Sequence, residues 1–202
     1  MNRILIAIAI LTFSVGLSSA QTKEYTSGQT PSQQTELVWG STTVELSQGF
    51  VGALTSLNIT PGSVFPASLH GTRASFPITD GSLDRQTLRG EIVHNGGLTL
   101  TRGNTRVKLK SFIIDTTGSG IVLTGLVSAN GSVVGRIPLF DLQLPAGAAS
   151  ANFRPERVVL NGVAVTLRQE AAGALNAVFE TNAFVAGFGI GTARVRGYGY
   201  GD

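Results

Sequence analysis

Apolar and polar residues alternate with a period of two along several stretches of the chain. Arg106-Val107-Lys108-Leu109-Lys110 alternates cationic and apolar side chains, and Phe140-Asp141-Leu142-Gln143-Leu144 alternates in the same way. This is the period of a β-strand with one buried face and one wet face. Because no βαβ spacing occurs, the pattern indicates an antiparallel sandwich or barrel. We expect an all-β fold, an antiparallel β-sandwich (immunoglobulin-like or related) with two short helices.

Three Asn-Gly pairs separate the apolar runs: Asn95-Gly96, Asn130-Gly131 and Asn161-Gly162. Such pairs supply the positive φ values that tight hairpin turns need, so each predicts a hairpin. The middle pair is the clearest, because the runs on both sides of it are rich in Val, Ile and Leu. Pro138 lies inside the run that follows and cannot donate a backbone hydrogen bond. That strand is therefore predicted to lie at an edge or to bend there.

Two segments depart from the strand pattern and resemble each other. Val44–Leu57 reads VELSQGFVGALTSL and Val165–Val178 reads VTLRQEAAGALNAV, with six identical residues in fourteen. Both begin as a strand and continue with helical spacing, and Ser47 is placed to cap the first helix. We interpret them as two strand–helix–strand units. Gly52 and Gly173 are predicted to let each helix lie close to a sheet.

The first twenty residues have the layout of a secretory signal peptide. Arg3 precedes an apolar run from Ile4 to Leu17, and Ser18-Ser19-Ala20 offers a small-residue cleavage site. The run is shorter than the roughly 20 residues that span a bilayer. We therefore expect a secreted or periplasmic mature chain without a transmembrane helix.

The remaining boundaries follow from composition. Residues 21–36 are predicted to be a disordered polar leader, because they hold little apolar surface to bury. Residues 37–196 are predicted to form a single β-sandwich domain. Residues 197–202 are predicted to be a flexible Gly/Tyr tail, since chain ends are commonly disordered.

Composition and charge exclude several classes of function. The chain has no cysteine, so it holds neither a disulfide nor a thiolate metal site. Its formal charge is +3, and the basic residues are scattered along the sequence. A nucleic-acid-binding protein normally shows a concentrated basic face, so we expect no nucleic-acid partner.

Few side chains in the sequence are suited to catalysis. His70 and His94 are the two histidines, and no G-x-S-x-G nucleophile turn occurs. Asp80-Gly81-Ser82-Leu83-Asp84 lacks the spacing of a calcium loop and is interpreted as an Asp-capped loop. His94, beside Asn95-Gly96, is interpreted as a turn histidine that bonds local backbone. We therefore expect no enzyme, no catalytic residues and no metal site.

Trp39-Gly40 and the segment Glu91–Leu100 carry a family pattern. They resemble the HtaA-like domains of secreted and surface bacterial proteins, with an early Trp-Gly and a central strand followed by Gly-His-x-Gly-x-Leu. His94 with Gly97-Leu98 is similar to the central element. The segments that resemble the family's ending are Ala171–Phe179, Phe184–Gly187 and Ile190–Val195.

The resemblance implies a ligand. Better-known HtaA-like domains bind haem through a tyrosine in their N-terminal part with a histidine nearby. At the corresponding distance after Trp39-Gly40 this chain has Gln48-Gly49-Phe50, and His94 is the residue that matches. Two hypotheses follow. The first is an exported, non-enzymatic β-sandwich that acts as a binding or structural module of the cell envelope or extracellular space. The alternative is a haem- or porphyrin-binding protein with His94 in its pocket.

Overall fold

The computed structural model describes residues 34–146, 153–154 and 156–201. The predicted signal peptide and the leader up to residue 33 lie outside the described residues. The elements, in chain order, are β1 (Gln34–Leu46), α1 (Gln48–Ser56), β2 (Thr60–Val64), β3 (Ser68–His70), β4 (Arg73–Asp84), β5 (Gly90–His94), β6 (Gly97–Arg102), β7 (Thr105–Asp115), β8 (Ile121–Ala129), β9 (Ser132–Gln143), β10 (Phe153–Arg154), β11 (Arg157–Leu167), α2 (Gln169–Phe179) and β12 (Gly189–Gly201).

The strands form one antiparallel sheet that closes on itself. Eight strands pair in the order β7-β5-β4-β1-β12-β11-β9-β8, and β8 pairs again with β7. The all-β prediction with two helices is confirmed, but the predicted two-layer sandwich is not, because the sheet is barrel-like. The sheet closes because β7 and β8, the two ends of this order, pair with each other. β7 thus pairs with β5 on one edge through Ile113–Asp115 and with β8 on the other along most of its length. Inward and outward side chains alternate alike in a sandwich and a barrel, so the pattern could not separate them.

The two helices leave the same end of the barrel. β1 and β11 both lie antiparallel to β12, and Leu46 and Thr166 pair with its first residues. Ser47 caps α1 as predicted, because its Oγ accepts a hydrogen bond from the backbone N–H of Phe50 at 3.0 Å. The predicted role of Gly52 and Gly173 is wrong. A Cβ added at either position would meet no atom within 4 Å, so neither glycine serves close packing.

The three Asn-Gly pairs take three different structures. Asn130-Gly131 forms the predicted hairpin between β8 and β9, with φ values of 51° and 88°. Asn95-Gly96 instead connects β5 to β6, which do not pair with each other but both pair with β7. Asn161-Gly162 lies inside β11, where the register with β12 shifts. The last two are therefore not hairpins, because β5 and β6 both pair with β7 and because β11 continues through Asn161-Gly162.

The prediction for Pro138 is confirmed. Pro138 lies opposite Thr124, where the register between β8 and β9 shifts. On its other side β9 pairs with β11 only through Phe140–Gln143. At Pro138, β9 therefore has one neighbouring strand, which is the edge setting in which proline is tolerated.

The paired strands extend beyond both predicted domain boundaries. β1 begins at Gln34, and β12 continues through residues 197–201, which the composition had assigned to a flexible tail. Trp39 stacks on Tyr198, with ring centroids 4.2 Å apart and planes at 14°. The terminal Gly/Tyr segment is therefore a strand, because β1 supplies its hydrogen bonds and Trp39 covers Tyr198.

Candidate ligand site in the barrel interior

His94 lies inside the barrel and is 3% exposed. It ends β5, where Ile92 and His94 both face inward and the intervening Val93 does not. Its Nε2 lies 2.7 Å from Thr42 Oγ1, and its Nδ1 has no hydrogen-bond partner among the described residues. The predicted turn histidine is therefore wrong. The sequence signal for this position was the strand period of two, which puts His94 on the same face as the apolar Ile92.

The surroundings of His94 keep its imidazole neutral at pH 7. Burial lowers the pKa of His94 from 6.5 to about 4, and the nearby backbone of Phe112 and Ile92 offsets only part of this effect. The cavity beside the ring has a volume of about 50 Å³, and apart from His94 and Thr42 its lining side chains are apolar. This space holds one or two water-sized groups, because a water occupies about 30 Å³ in the liquid.

A larger apolar space lies between α2 and the barrel. This chamber has a volume of about 230 Å³, and every side chain that lines it is apolar. Among the lining residues are Val107 and Leu109 of β7, Val127 of β8, Leu139 of β9, and Ala174 and Leu175 of α2. An apolar cavity of about 150 Å³ in another protein stays dry and binds benzene. The chamber is therefore large enough for a molecule of at least that size.

Contacts near both ends hold α2 over the chamber. At its start, the Arg168 guanidinium lies 2.8 Å from the carboxylate of Asp141 on β9. At its end, Arg102 of β6 donates a hydrogen bond to the Phe179 carbonyl and lies over the Phe179 ring at 5.6 Å. The Asn176 side chain donates to the Phe184 carbonyl at 2.8 Å and accepts from its N–H at 3.1 Å. These contacts leave the middle of α2 as one wall of the chamber.

The other candidate residues lie away from the interior. His70 is exposed at the end of β3. The segment Asp80–Asp84 was predicted to be a loop, but it is the last part of strand β4, because β1 and β5 pair with it. Asp84 does cap the turn that follows, since its carboxylate accepts from the N–H groups of Gln86 and Thr87 at 3.0 and 2.7 Å. The side-chain and backbone hydrogen bonds from Thr87 lower the pKa of Asp84. Within the described ranges, no three His, Asp or Glu side chains come together as metal ligands.

The residues around His94 do not fit haem in this structure. Pockets for ligands of drug size have volumes of about 300–1,000 Å³, whereas the cavity beside His94 has about 50 Å³. Phe50, in the segment where the family resemblance places a tyrosine, is buried and has no atom that could bind iron. Neither residue therefore offers an accessible iron ligand.

Comparisons with known proteins place this fold. No protein-family model matches the chain, and no curated protein matches it. The C-terminal domain of HtaA from Corynebacterium glutamicum is a solved structure that superposes with a TM-score of 0.62 at 14% identity, over 81% of this chain and 98% of that one. The chain has the fold of the HtaA domains. The distant resemblance predicted from Trp39-Gly40 and His94 is thus confirmed at the level of the fold.

Two further HtaA structures from the same organism agree. The N-terminal domain of HtaA superposes with a TM-score of 0.60 at 15% identity, over 80% of this chain and 97% of that one. A domain-swapped dimer of a C-terminal domain variant gives 0.54 at 16% identity, over 74% and 87%. At these identities the likeness to HtaA defines the architecture alone. The chain therefore spans the length of an HtaA domain.

Proposed function

We propose that this protein is an exported, non-enzymatic binding module that takes up a small apolar molecule in the chamber beneath α2. The observation that carries the proposal is a partly open space of about 230 Å³ that is lined by apolar side chains alone. Such a space favours an apolar guest over water, because water there would find no hydrogen-bond partner. The guest would be of the size of a substituted single ring or a short acyl chain.

The lining of the chamber supports binding rather than chemistry. It contains no acid, base or nucleophile, and no hydroxyl or amide side chain. His94 is a buried titratable residue that could act as an acid or base, but it lines the separate cavity of about 50 Å³ together with Thr42. A guest in the chamber would therefore be held by contact area and shape.

The proposed location is the cell envelope or the extracellular space. Residues 1–20 support it through their signal-peptide layout. Within the described ranges, no helix has the length and apolarity needed to cross a bilayer.

Filling the chamber is expected to abolish most of the binding. Ala174→Leu adds a bulkier side chain to the wall of the chamber, so it should weaken the affinity for ethylbenzene at least about tenfold in isothermal titration calorimetry. Gly173→Leu is the matched control, because it places a leucine on the preceding residue of α2, where the space is open. Equal affinities in the two variants, or no binding to the unmodified protein, would contradict the proposal.

The haem alternative has a direct test. Because His94 is buried beside a cavity of about 50 Å³, hemin added to the purified protein is expected to give no Soret band that depends on His94. The measurement is an absorption titration of the unmodified protein and of His94→Ala. A band in the unmodified protein that shifts or disappears in His94→Ala would restore the haem hypothesis.

A further inference from the structure

The outer face of β7–β9 forms a concave groove with three cations in a row. Arg106, Lys108 and Lys110 of β7 point away from the interior, because Val107 and Leu109 between them are buried. The groove has a volume of about 530 Å³ and is also lined by Leu126, Ser128 and Val133 of the neighbouring strands. Their alternation along one strand places the three charges on one face of the sheet.

No carboxylate neutralises this row. Among the residues that the structure describes, Arg106, Lys108 and Lys110 form no ion pair, and no acidic side chain lines the groove. Asp115 of β7 and Asp141 of β9 both lie opposite Val122 of β8, at the end of these strands that is remote from the groove. Lys110 and Asp115 are thus about 17 Å apart along β7. The positive and negative charges of these strands are segregated.

A fourth cation borders the groove. Arg136 of β9 lies opposite Leu126, which in turn lies opposite Lys110. Its guanidinium donates to the Ser111 carbonyl at 2.8 Å and lies 3.3 Å from Thr124 Oγ1. These bonds hold Arg136 beside the row rather than leaving it to solvent.

We propose that this groove binds a linear anionic glycan. Alternate residues on a strand lie roughly 7 Å apart, so the three cations form a regular series along β7 that an extended polyanion can follow. A concave surface suits a chain better than a flat bilayer, whose headgroups would not reach Lys108, the least exposed of the three. The groove has no aromatic side chain on which nucleic-acid bases could stack, which disfavours single-stranded DNA or RNA.

Binding to this groove is expected to depend on salt. Each cation that contacts the polyanion releases counterions, and for single strands the slope of log K against log salt is about −0.7 per contact. Three contacts thus predict a slope of about −2. Removing two of them should leave a slope of about −0.7.

The test uses a fluorescein-labelled heparin oligosaccharide as the probe and fluorescence polarisation as the measurement. Lys108→Gln with Lys110→Gln is expected to weaken binding at least about tenfold and to reduce the salt slope. The matched control is Arg157→Gln with Arg196→Gln, which removes the same charge from exposed positions on β11 and β12. Circular dichroism of both double variants verifies that each remains folded.

Four outcomes decide the proposal. A loss confined to the β7 variant supports it, whereas equal losses in the two double variants would show attraction by net charge alone. Stronger binding of anionic lipid vesicles or of single-stranded DNA than of heparin would overturn the assignment of the partner. Retention of heparin binding in Ala174→Leu is also expected, because the chamber and the groove lie on opposite faces of the sheet.

Discussion

Phe179→Ala is expected to lower the free energy of unfolding by about 3–5 kcal/mol. Phe179 is the last residue of α2 and is 0% exposed, so its removal leaves a cavity in the packing between α2 and the barrel. The Arg102 guanidinium would also lose the ring on which it lies. Urea denaturation followed by circular dichroism measures the change.

Phe65→Ala provides the matched control for this experiment. The substitution is the same, but Phe65 is 91% exposed and is expected to change stability by less than about 0.5 kcal/mol. If Phe179→Ala were no more destabilising than Phe65→Ala, α2 would not be packed on the barrel as described. The chamber would then lack one of its walls.

Acidification from pH 6.5 to pH 4 is expected to remove about 3 kcal/mol of stability through His94 alone. The folded-state pKa of about 4 lies below the unfolded value of 6.5, so the unfolded chain binds the extra proton within this interval. Stability from this source is therefore complete above pH 6.5 and declines as the pH falls toward 4. The measurement is urea denaturation at several pH values between these limits.

His94→Leu isolates the contribution of the imidazole. The variant keeps an apolar side chain in the interior. Between pH 6.5 and pH 4, its free energy of unfolding should fall by about 3 kcal/mol less than that of the unmodified protein. His70→Gln is the control, because it removes the other histidine of the chain from an exposed position. Since the carboxylates are common to all three proteins, their titration cancels in the comparison. Identical pH profiles for His94→Leu and the unmodified protein would contradict the buried position of His94.

The two proposed sites depend on opposite faces of one strand. Val107 and Leu109 of β7 face the chamber, while Arg106, Lys108 and Lys110 face the groove. A module built in this way could hold an apolar guest inside and a polyanion outside without either contacting the other. The filling variant and the double lysine variant separate these functions, because each alters one face alone.

Local features of the fold were predictable from short stretches of sequence. The alternation in Arg106–Lys110 reports a strand with one wet face, and the paired apolar runs around Asn130-Gly131 report a hairpin. Ser47 before an apolar helical stripe reports the start of α1. In each case the interactions join residues close in sequence, so the pattern contains most of the information needed.

Other features required partners distant in sequence. Asn161-Gly162 has the same letters as the hairpin pair, yet it forms a bulge because β11 continues along β12. The terminal segment 197–201 is a strand because β1, more than 150 residues earlier, supplies its hydrogen bonds. No local property of the Gly/Tyr segment distinguishes it from a disordered end.

By itself, the sequence determined that the chain is built of antiparallel strands with two short helices, because hydrophobic periodicity and turn chemistry act over a few residues. The tertiary structure decided that the sheet closes, that His94 is buried against Thr42, and that β8 and β9 complete a groove beside the three cations of β7. These outcomes depend on which strands become neighbours. Strand order is a property of the whole chain, and the same alternation is compatible with many orders.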